Sequence, residues 1–248
     1  MKEITAVVLA AGKGTRINAR RINKVMFQLA GKPMISYTID LLKRSGIKKI
    51  IIVVGFAKQS IIDYLGKRFT YAYQRKRLGT AHAVKTALTK ISKGIKNILV
   101  INADDSAFYP PRVIKGLIKK HSKEKAGLTF LTVEMRKPNI ARVIRDSQGK
   151  ILGVVEQQNL KPWQEKIKEI NCGCYCFSLD FLKKFLPKVR KNHVSKEYYI
   201  TQLIEIGIKN KAKVQAFKMD KEDYFHGVNT KKQLLEAERK MQKKLKKK

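Results

Sequence analysis

A glycine-rich loop near the start of the chain carries residues suited to phosphate chemistry. The apolar stretch Ile4–Ala10 runs directly into residues 11–16, Ala-Gly-Lys-Gly-Thr-Arg. Two glycines let backbone amides approach a polyphosphate closely, and Lys13 and Arg16 add positive charge. The loop lacks the first glycine of a Walker A motif and the third glycine of the Rossmann fingerprint. It therefore indicates a phosphate site of another kind, with a solvated turn as the simpler alternative.

Two adjacent carboxylates, Asp104 and Asp105, follow an apolar run at residues 98–101. In an open α/β sheet, ligand-binding groups lie at the carboxyl ends of the strands. An aspartate after a strand is also a common turn or helix cap. The position alone makes both residues candidates for a binding site.

The first half of the chain predicts the sheet that would position these residues. Runs 4–10, 50–54 and 98–101 have strand length and are apolar throughout, while residues 33–44 and 81–91 have helical patterns. Strands buried on both faces that alternate with helices are typical of a parallel sheet covered on both sides. We therefore expect an α/β fold, with a Rossmann-like, mainly parallel mixed sheet and helices on both faces.

After residue 110 the pattern becomes α+β, with hairpin-like as well as helical segments. The predicted strands are 128–133, 141–144, 151–156, 169–177 and 214–217, and the predicted helices are 111–120, 179–185 and 199–209. We see no repeat and no flexible linker, so residues 1–248 are expected to form one domain with halves 1–110 and 111–230. Residues 231–248 predict a basic helix and tail, interpreted as a solvated, frayed terminus.

Composition points to a protein that binds anions. Lysine and arginine number 55 against 19 aspartate and glutamate, a net charge of +36, and 44% of residues are hydrophobic, enough for a sizeable core. No run approaches the roughly 18 apolar residues of a membrane span, and no signal-peptide pattern is present. A cytoplasmic location without membrane association is expected.

The three cysteines, Cys172, Cys174 and Cys176, alternate along one predicted strand. Their side chains would share one face, at the edge of disulfide geometry, and they lack the spacing of a metal site. Buried free thiols are the better interpretation.

Longer motifs give the phosphate loop a family resemblance. Residues 9–16, with Lys24 ahead of Gly-Lys-Pro-Met at 31–34, resemble the signature of the nucleotidyltransferases that make nucleotide sugars. Further matches cover nearly the whole chain in order: Gln74 ahead of 78–83, 103–104, 155–156, 169–171, 197–201 and 227–229. The likeness is strongest to the uridylyltransferase domain of the bifunctional N-acetylglucosamine-1-phosphate uridylyltransferases.

This resemblance implies a reaction that aligns and neutralises two anions. A sugar 1-phosphate oxygen would attack the α-phosphorus of a nucleoside triphosphate, with UTP and N-acetylglucosamine 1-phosphate as the expected pair, and pyrophosphate would leave. Arg16 and Lys24 would be the catalytic, charge-stabilising residues. Asp104 and Asn229 would bind Mg²⁺, with Asp105 as a further candidate ligand.

The resemblance also assigns the two halves of the chain. Residues 1–110 would bind the nucleotide through Leu9, Ala10, Gly12, Lys13, Gly14, Thr15, Gln74, Gly79 and Thr80. Residues 111–230 would bind the sugar phosphate through Arg142, Glu156, Asn171, Tyr199 and Thr201. The family's acetyltransferase β-helix domain has no counterpart in the sequence, because no hexapeptide-type repeat is present. A homo-oligomer is left open.

Departures from the family pattern keep other substrates in view. Arg77 stands where a second glutamine is common, and residues 137–142 lack the glycines of the family's sugar-side segment. A glucose-1-phosphate uridylyl- or thymidylyltransferase is therefore an alternative. A degenerate, inactive relative is disfavoured because the four residues Arg16, Lys24, Asp104 and Asn229 are all present.

An alternative of another class is a basic RNA-binding protein on the same fold. The charge would favour it, but the lysines are dispersed and no RNA-binding signature appears, so no specific nucleic-acid partner is expected.

Overall fold

The first strand shows how the sequence builds the sheet. β1 (Ile4–Ala10) is rich in β-branched residues and almost completely buried, as expected for a central strand covered on both faces. The computed structural model describes residues 3–136 and 138–246. The other strands are β2 (Gln28–Leu29), β3 (Lys32–Pro33), β4 (Lys49–Val54), β5 (Thr70–Tyr73), β6 (Asn97–Asn102), β7 (Leu128–Glu134), β8 (Arg142–Arg145), β9 (Ile151–Val155), β10 (Glu169–Ser178) and β11 (Val214–Lys218).

Helices connect most of these strands. They are α1 (Met34–Arg44), α2 (Lys58–Leu65), α3 (Thr80–Leu88), α4 (Pro111–Lys123), α5 (Leu179–Phe185), α6 (Gln202–Lys209) and α7 (Lys231–Lys246). Short 3₁₀ turns, including Thr15–Ile17 and Lys24–Met26, lie in the connecting segments.

The main sheet is mixed and mainly parallel, as predicted. Its order is β11-β7-β10-β6-β1-β4-β5. β5, β4, β1 and β6 are mutually parallel neighbours, and β11 is parallel to β7. β10 lies antiparallel between β6 and β7, and the predicted β8–β9 hairpin pairs with β10.

Helices cover both faces of this sheet, which confirms the predicted fold class. One hydrophobic cluster packs residues of α1, α2 and α4 against the strands, for example Ile35, Ile61 and Leu117. A second cluster on the other face contains α3, α5 and α6, for example Val84 and Leu203. The carboxyl ends of the parallel strands remain open between these layers, and the loops there carry most of the predicted site.

The cysteine strand differs from a regular strand in one respect. β10 has a register shift between Asn171 and Tyr175, and Gly173 lies there with φ of +63°. The three cysteines are free and fully buried in one hydrophobic cluster, which confirms their interpretation as buried thiols. A Cβ at Gly173 would overlap the side chain of Asn102, so the glycine lets β10 pass close to the end of β6.

The C-terminal helix corrects one prediction. α7 is docked and not frayed: Ala237 and Met241 are buried in a third cluster, with Leu234 packed against it. Glu238 Oε2 also accepts the Ala30 N–H at 2.7 Å. The sequence analysis interpreted the segment from its many lysines, which are typical of a solvated helix. It overlooked that these three apolar residues are spaced i, i+3, i+7 and so share one helix face. Lys247 and Lys248 lie outside the described residues.

The sequence analysis also omitted α2, β5 and the β2–β3 hairpin, and placed the start of α6 three residues too early. Among the described residues, no helix is both long and apolar enough to cross a membrane.

Candidate active site

A cavity of about 230 Å³ lies at the carboxyl ends of β1 and β6. These strand ends contribute Leu9, Ala10 and Asn102. Its lining includes the predicted site residues Leu9, Ala10, Gly12, Gly14, Lys24, Gln74, Gly79, Thr80 and Asp104. The structure thus brings together groups from widely separated parts of the sequence.

The glycine loop is held in place by a buried asparagine. The Asn23 amide nitrogen lies 3.0 Å from the Ala10 carbonyl oxygen, 3.2 Å from that of Gly12 and 2.8 Å from that of Phe56. Asn23 Oδ1 accepts the Val25 N–H at 3.1 Å. One side chain, 1% exposed, therefore fixes the loop to the segments that follow β4 and precede Lys24. Lys13, Thr15 and Arg16 are exposed on the loop.

The predicted catalytic and metal-binding residues form one hydrogen-bonded group. Lys24 Nζ makes an ion pair with Asp104 Oδ2 and donates to Asn229 Oδ1 at 3.0 Å. Arg16 Nη2 donates to the same Asn229 oxygen at 3.1 Å. The Lys24 and Asp104 side chains are only 12% and 19% exposed. A cation already occupies the point where the two predicted metal ligands meet.

The donor set at this point fits a hard divalent cation. A carboxylate and an amide oxygen are ligands that Mg²⁺ accepts, and Mg²⁺ usually completes its shell with phosphate oxygens and water. The Lys24 ammonium marks a position that both oxygens can reach. Within residues 3–136 and 138–246, no cluster of three or more His, Cys, Asp or Glu side chains is placed to hold a metal. Asp104 and Asn229 would thus hold the ion together with substrate.

Asp105 faces away from this group. Its Oδ2 accepts from Asn102 Nδ2 at 2.9 Å, and Cβ atoms at Gly173 and Gly227 would each lie 2.9 Å from one of its oxygens. Burial and the neighbouring Asp104 carboxylate raise the pKa of Asp105 to about 7. Asp104, and not Asp105, makes the contact with Lys24.

The side of the cavity predicted to bind the base is formed by the turn between β5 and α3. Gln74 is 5% exposed, and its amide nitrogen donates to the Gly79 carbonyl at 3.0 Å and lies 2.9 Å from His82 Nδ1. Gly79 has φ of +100°, and a Cβ there would collide with the backbone of Tyr198. Arg77 and Glu197 also line the cavity, and the Arg77 charge partly offsets the effect of burial, which raises the pKa of Glu197.

Three predicted sugar-side residues, Glu156, Tyr199 and Thr201, lie in segments next to this turn. Thr201 Oγ1 donates to Glu156 Oε1 at 2.6 Å, and Tyr199 Oη accepts from Gln158 Nε2 at 3.2 Å. Burial raises the pKa of Glu156, which the Thr201 hydrogen bond partly opposes. The Ile200 N–H donates to Thr80 Oγ1 at 2.9 Å, so the predicted sugar side is tied directly to the base side.

Asn171 presents an unpaired acceptor. It is 8% exposed, and its amide nitrogen donates to Tyr175 Oη at 2.6 Å. Its buried Oδ1 has no hydrogen-bond partner. A buried carbonyl oxygen without a donor costs free energy. Asn171 is not part of the lining of the 230 Å³ cavity, so a ligand N–H or O–H would have to reach beyond that lining to pair with it.

Arg142 is directed into its own loop. It is 2% exposed, donates to the carbonyl oxygens of Ile140 and Pro138, and donates to Gln157 Oε1 at 3.1 Å. Burial lowers the pKa of its guanidinium. To contact a sugar phosphate, the guanidinium would first have to break its hydrogen bonds to Ile140, Pro138 and Gln157. The predicted contact therefore stays a prediction. Lys137, in the same segment, lies outside the described residues.

A larger cavity, of about 880 Å³, lies at the opposite ends of β1 and β6. None of the predicted site residues within the described ranges lines it. The smaller cavity is therefore the better candidate for the active site.

Asn23, His82 and Glu197 are site residues that the sequence analysis missed or left without a role. Asn23 precedes Lys24 and Glu197 opens the 197–201 motif, so their positions within the motifs were the available signals. The contacts of Asn23 are with carbonyls 11 to 33 positions away, and that of His82 with Gln74 depends on how the turn between β5 and α3 folds, so periodicity shows neither.

Comparisons with known proteins identify the family of the chain. The family model described as nucleotidyl transferase matches residues 5–244. The chain is 36% identical over 247 residues to the bifunctional protein GlmU of Symbiobacterium thermophilum, covering 99% of this chain and 52% of that protein. It is 35% identical over 235 residues to GlmU of Geobacillus thermodenitrificans, covering 94% and 51%. The chain spans about half the length of the curated relatives it matches.

Solved structures show the same fold at lower identity. A UDP-glucose pyrophosphorylase complexed with UDP-glucose has a TM-score of 0.79 at 21% identity, covering 97% of this chain and 98% of that one. A Bacillus anthracis protein assigned as a glucose-1-phosphate thymidylyltransferase and solved with sucrose has a TM-score of 0.78 at 20% identity, covering 95% and 94%. With the glycine loop, the Lys24 group and a family match across nearly the whole chain, we conclude that this protein is an enzyme of the nucleotidyl transferase family.

Proposed function

We propose that the protein transfers a uridylyl group from UTP to N-acetylglucosamine 1-phosphate, with Mg²⁺, releasing pyrophosphate and forming a nucleotide sugar. The observation that carries this proposal is the group of Arg16, Lys24, Asp104 and Asn229 beside the glycine loop. It concentrates cations and metal-compatible oxygens at one point.

The glycine loop would bind the triphosphate. Its backbone amides and the exposed Lys13 and Thr15 side chains are available to phosphate oxygens. Arg16 offers a planar set of donors and Lys24 a compact ammonium, so the two would neutralise different phosphate oxygens as charge builds up.

The reacting oxygen is already an anion, so no general base is needed. A sugar-phosphate oxygen would form the new bond to the α-phosphorus while the bond to the pyrophosphate oxygen breaks on the opposite side. Mg²⁺ supplies charge neutralisation and alignment when bound. Asp104 and Asn229 would hold it, and Lys24 would move from these oxygens to phosphate.

Asn171 supports an N-acetylated sugar. Its unpaired Oδ1 is a suitable acceptor for an acetamido N–H. Glu156, Thr201 and Tyr199 would hold sugar hydroxyls, and Arg142 would join them only after releasing its loop carbonyls.

A second candidate is uridylyl or thymidylyl transfer to glucose 1-phosphate. The solved neighbours named above are described as a UDP-glucose pyrophosphorylase and a glucose-1-phosphate thymidylyltransferase. In addition, Arg77 and residues 137–142 depart from the pattern of the N-acetylglucosamine enzymes.

We also propose that the enzyme is cytoplasmic, and that residues 1–248 form one domain that has no specific nucleic-acid partner.

The test is pyrophosphate release with Mg²⁺ across UTP, dTTP, CTP, ATP and GTP, each with glucose, N-acetylglucosamine or mannose 1-phosphate. Release with UTP and N-acetylglucosamine 1-phosphate well above every other pair is expected. Asp104→Ala should abolish turnover and keep the fold, as judged by circular dichroism. No release from folded protein with any pair, or full activity in Asp104→Ala, would contradict the proposal.

A further inference from the structure

His82 and Gln74 form a contact that the reaction chemistry does not use. Gln74 follows β5, and its N–H extends the sheet by donating to the Val54 carbonyl at 2.8 Å. His82 lies in the first turn of α3. The Gln74 amide nitrogen lies 3.0 Å from the Gly79 carbonyl oxygen and 2.9 Å from His82 Nδ1.

The two partners together determine which way the Gln74 amide faces. A backbone carbonyl oxygen can only accept, so the group facing Gly79 must be the amide nitrogen. The second hydrogen on that nitrogen points to His82 Nδ1, which must then be unprotonated, with the ring proton on Nε2. Burial and the Lys85 charge lower the pKa of His82, which favours this neutral ring.

Both amide hydrogens of Gln74 are consequently used within the protein. No described residue donates to Gln74 Oε1, and this oxygen is not among the buried atoms without a partner. Since Gln74 lines the 230 Å³ cavity, the polar atom it leaves for a ligand is an acceptor.

We propose that His82 is a positioning residue that fixes the Gln74 amide so that only its oxygen faces the nucleotide base. A base is then selected by an N–H on its edge. The ring N–H is the only donor on the pairing edge of uracil or thymine. Cytosine has a lone pair at that ring nitrogen and carries its donor on the exocyclic amino group beside it, so an acceptor placed at the ring nitrogen disfavours cytosine. This inference rests on the proposed function for its nucleotide, but the orientation of Gln74 does not depend on it.

Without the His82 acceptor, the Gly79 carbonyl alone holds the Gln74 amide nitrogen, so turning the amide costs one hydrogen bond instead of two and its nitrogen is presented more often. The enzyme would then tolerate cytosine, because a donor can pair with its ring nitrogen. Asparagine is the matched replacement, since its Oδ1 can occupy the place of Nδ1 and accept the same hydrogen. Alanine and leucine remove the acceptor.

The experiment compares His82→Ala, His82→Leu and His82→Asn with the unaltered protein. We expect the ratio of kcat/KM for UTP to that for CTP to fall by about tenfold in the alanine and leucine variants, the effect of one selective hydrogen bond. The fall should come mainly through KM, with kcat for UTP largely unchanged. His82→Asn should restore the ratio. An unchanged ratio in folded His82→Ala and His82→Leu would overturn the proposal.

A second measurement separates this inference from the proposed function. Nitrogen-15 NMR of the histidine rings, without substrate, should show His82 with a proton on Nε2 and none on Nδ1 at neutral pH. A protonated Nδ1 would overturn the positioning role whatever the enzyme's activity. Absence of turnover with every nucleoside triphosphate would instead contradict the proposed function, while the NMR result would still decide the orientation of Gln74.

Discussion

At the scale of single residues, the site depends on side chains that organise their neighbours as much as on those that meet substrate. Asn23 joins the glycine loop to the segment after β4 through the carbonyls of both, and Lys24 holds Asp104 and Asn229 together. Each of these side chains is buried or nearly so. Their removal would leave polar groups without partners, which gives two predictions.

Asn23→Ala should lower the free energy of unfolding by about 1 to 3 kcal/mol and reduce turnover strongly, because the loop carbonyls lose their shared donor. Urea denaturation and pyrophosphate release would measure both effects. Asn210→Ala is the matched control, since Asn210 is exposed at the end of α6 and should change neither by much. Equal stability of the two variants would show that Asn23 does not hold the loop.

Lys24→Met should weaken turnover and yet strengthen Mn²⁺ binding in the absence of nucleotide. In the unaltered protein the Lys24 ammonium competes with a metal ion for Asp104 and Asn229. Electron paramagnetic resonance of Mn²⁺ titrations would measure the binding, with Lys13→Met as the exposed control. Weaker Mn²⁺ binding in Lys24→Met would contradict this competition.

At the scale of secondary-structure elements, the two halves of the sheet are joined through β10. This strand pairs with β6, β7 and β8 and carries Asn171 near its start. Arg145 of β8 holds Glu169 of β10 with two hydrogen bonds, Nε to Oε2 at 2.7 Å and Nη2 to Oε1 at 2.9 Å. This ion pair fixes the β8–β9 hairpin next to the predicted sugar side.

Glu169→Gln should lower the free energy of unfolding by about 1 to 2 kcal/mol at neutral pH. Burial alone would raise the pKa of Glu169, but the hydrogen bonds and charge of Arg145 bring it below its ordinary value. A lowered pKa means that the stabilisation is present above about pH 4 and is lost as the pH falls through the native pKa. The difference between the two proteins should therefore shrink in acid, as urea denaturation at several pH values would show. A constant difference would contradict the role of this charge.

At the scale of the whole molecule, the net charge of +36 is far larger than the candidate catalytic group, with its few cations, requires. Some of the other lysines are paired with carboxylates: exposed ion pairs such as Lys213–Glu124 and Lys218–Glu134 join neighbouring elements. The remaining field attracts phosphates without selecting among them.

Binding to single-stranded RNA should accordingly be weak, independent of sequence and sensitive to salt. The affinity should fall more than about tenfold between 50 and 200 mM salt, because binding releases counterions from the RNA. Fluorescence anisotropy with two unrelated oligonucleotides would measure it. Tight binding of one sequence at 200 mM salt would favour the RNA-binding alternative over the enzyme.

The sequence by itself determined the family and most of the elements, but not α2, β5 or the β2–β3 hairpin. Strand and helix positions follow from local periodicity and from turn residues, which is why β1, α1, β4, β6 and the β8–β9 hairpin were predicted with small errors at their ends. The ordered motifs placed Arg16, Lys24, Asp104 and Asn229 in one site before any geometry was known. The docking of α7 was missed because its lysines dominated the interpretation of the segment.

Only the tertiary structure decided how these residues meet. Lys24 and Asn229 are 205 positions apart, and their contact depends on the packing of β1, β6 and the loop before α7. Likewise, Gln74 and His82 share a hydrogen bond whose direction follows from the Gly79 carbonyl, and Arg142 turns into its own loop. The first contact joins distant segments of the chain. The other two are close in sequence, but their hydrogen-bond directions depend on how the turn after β5 and the segment before β8 fold in three dimensions, which periodicity does not specify.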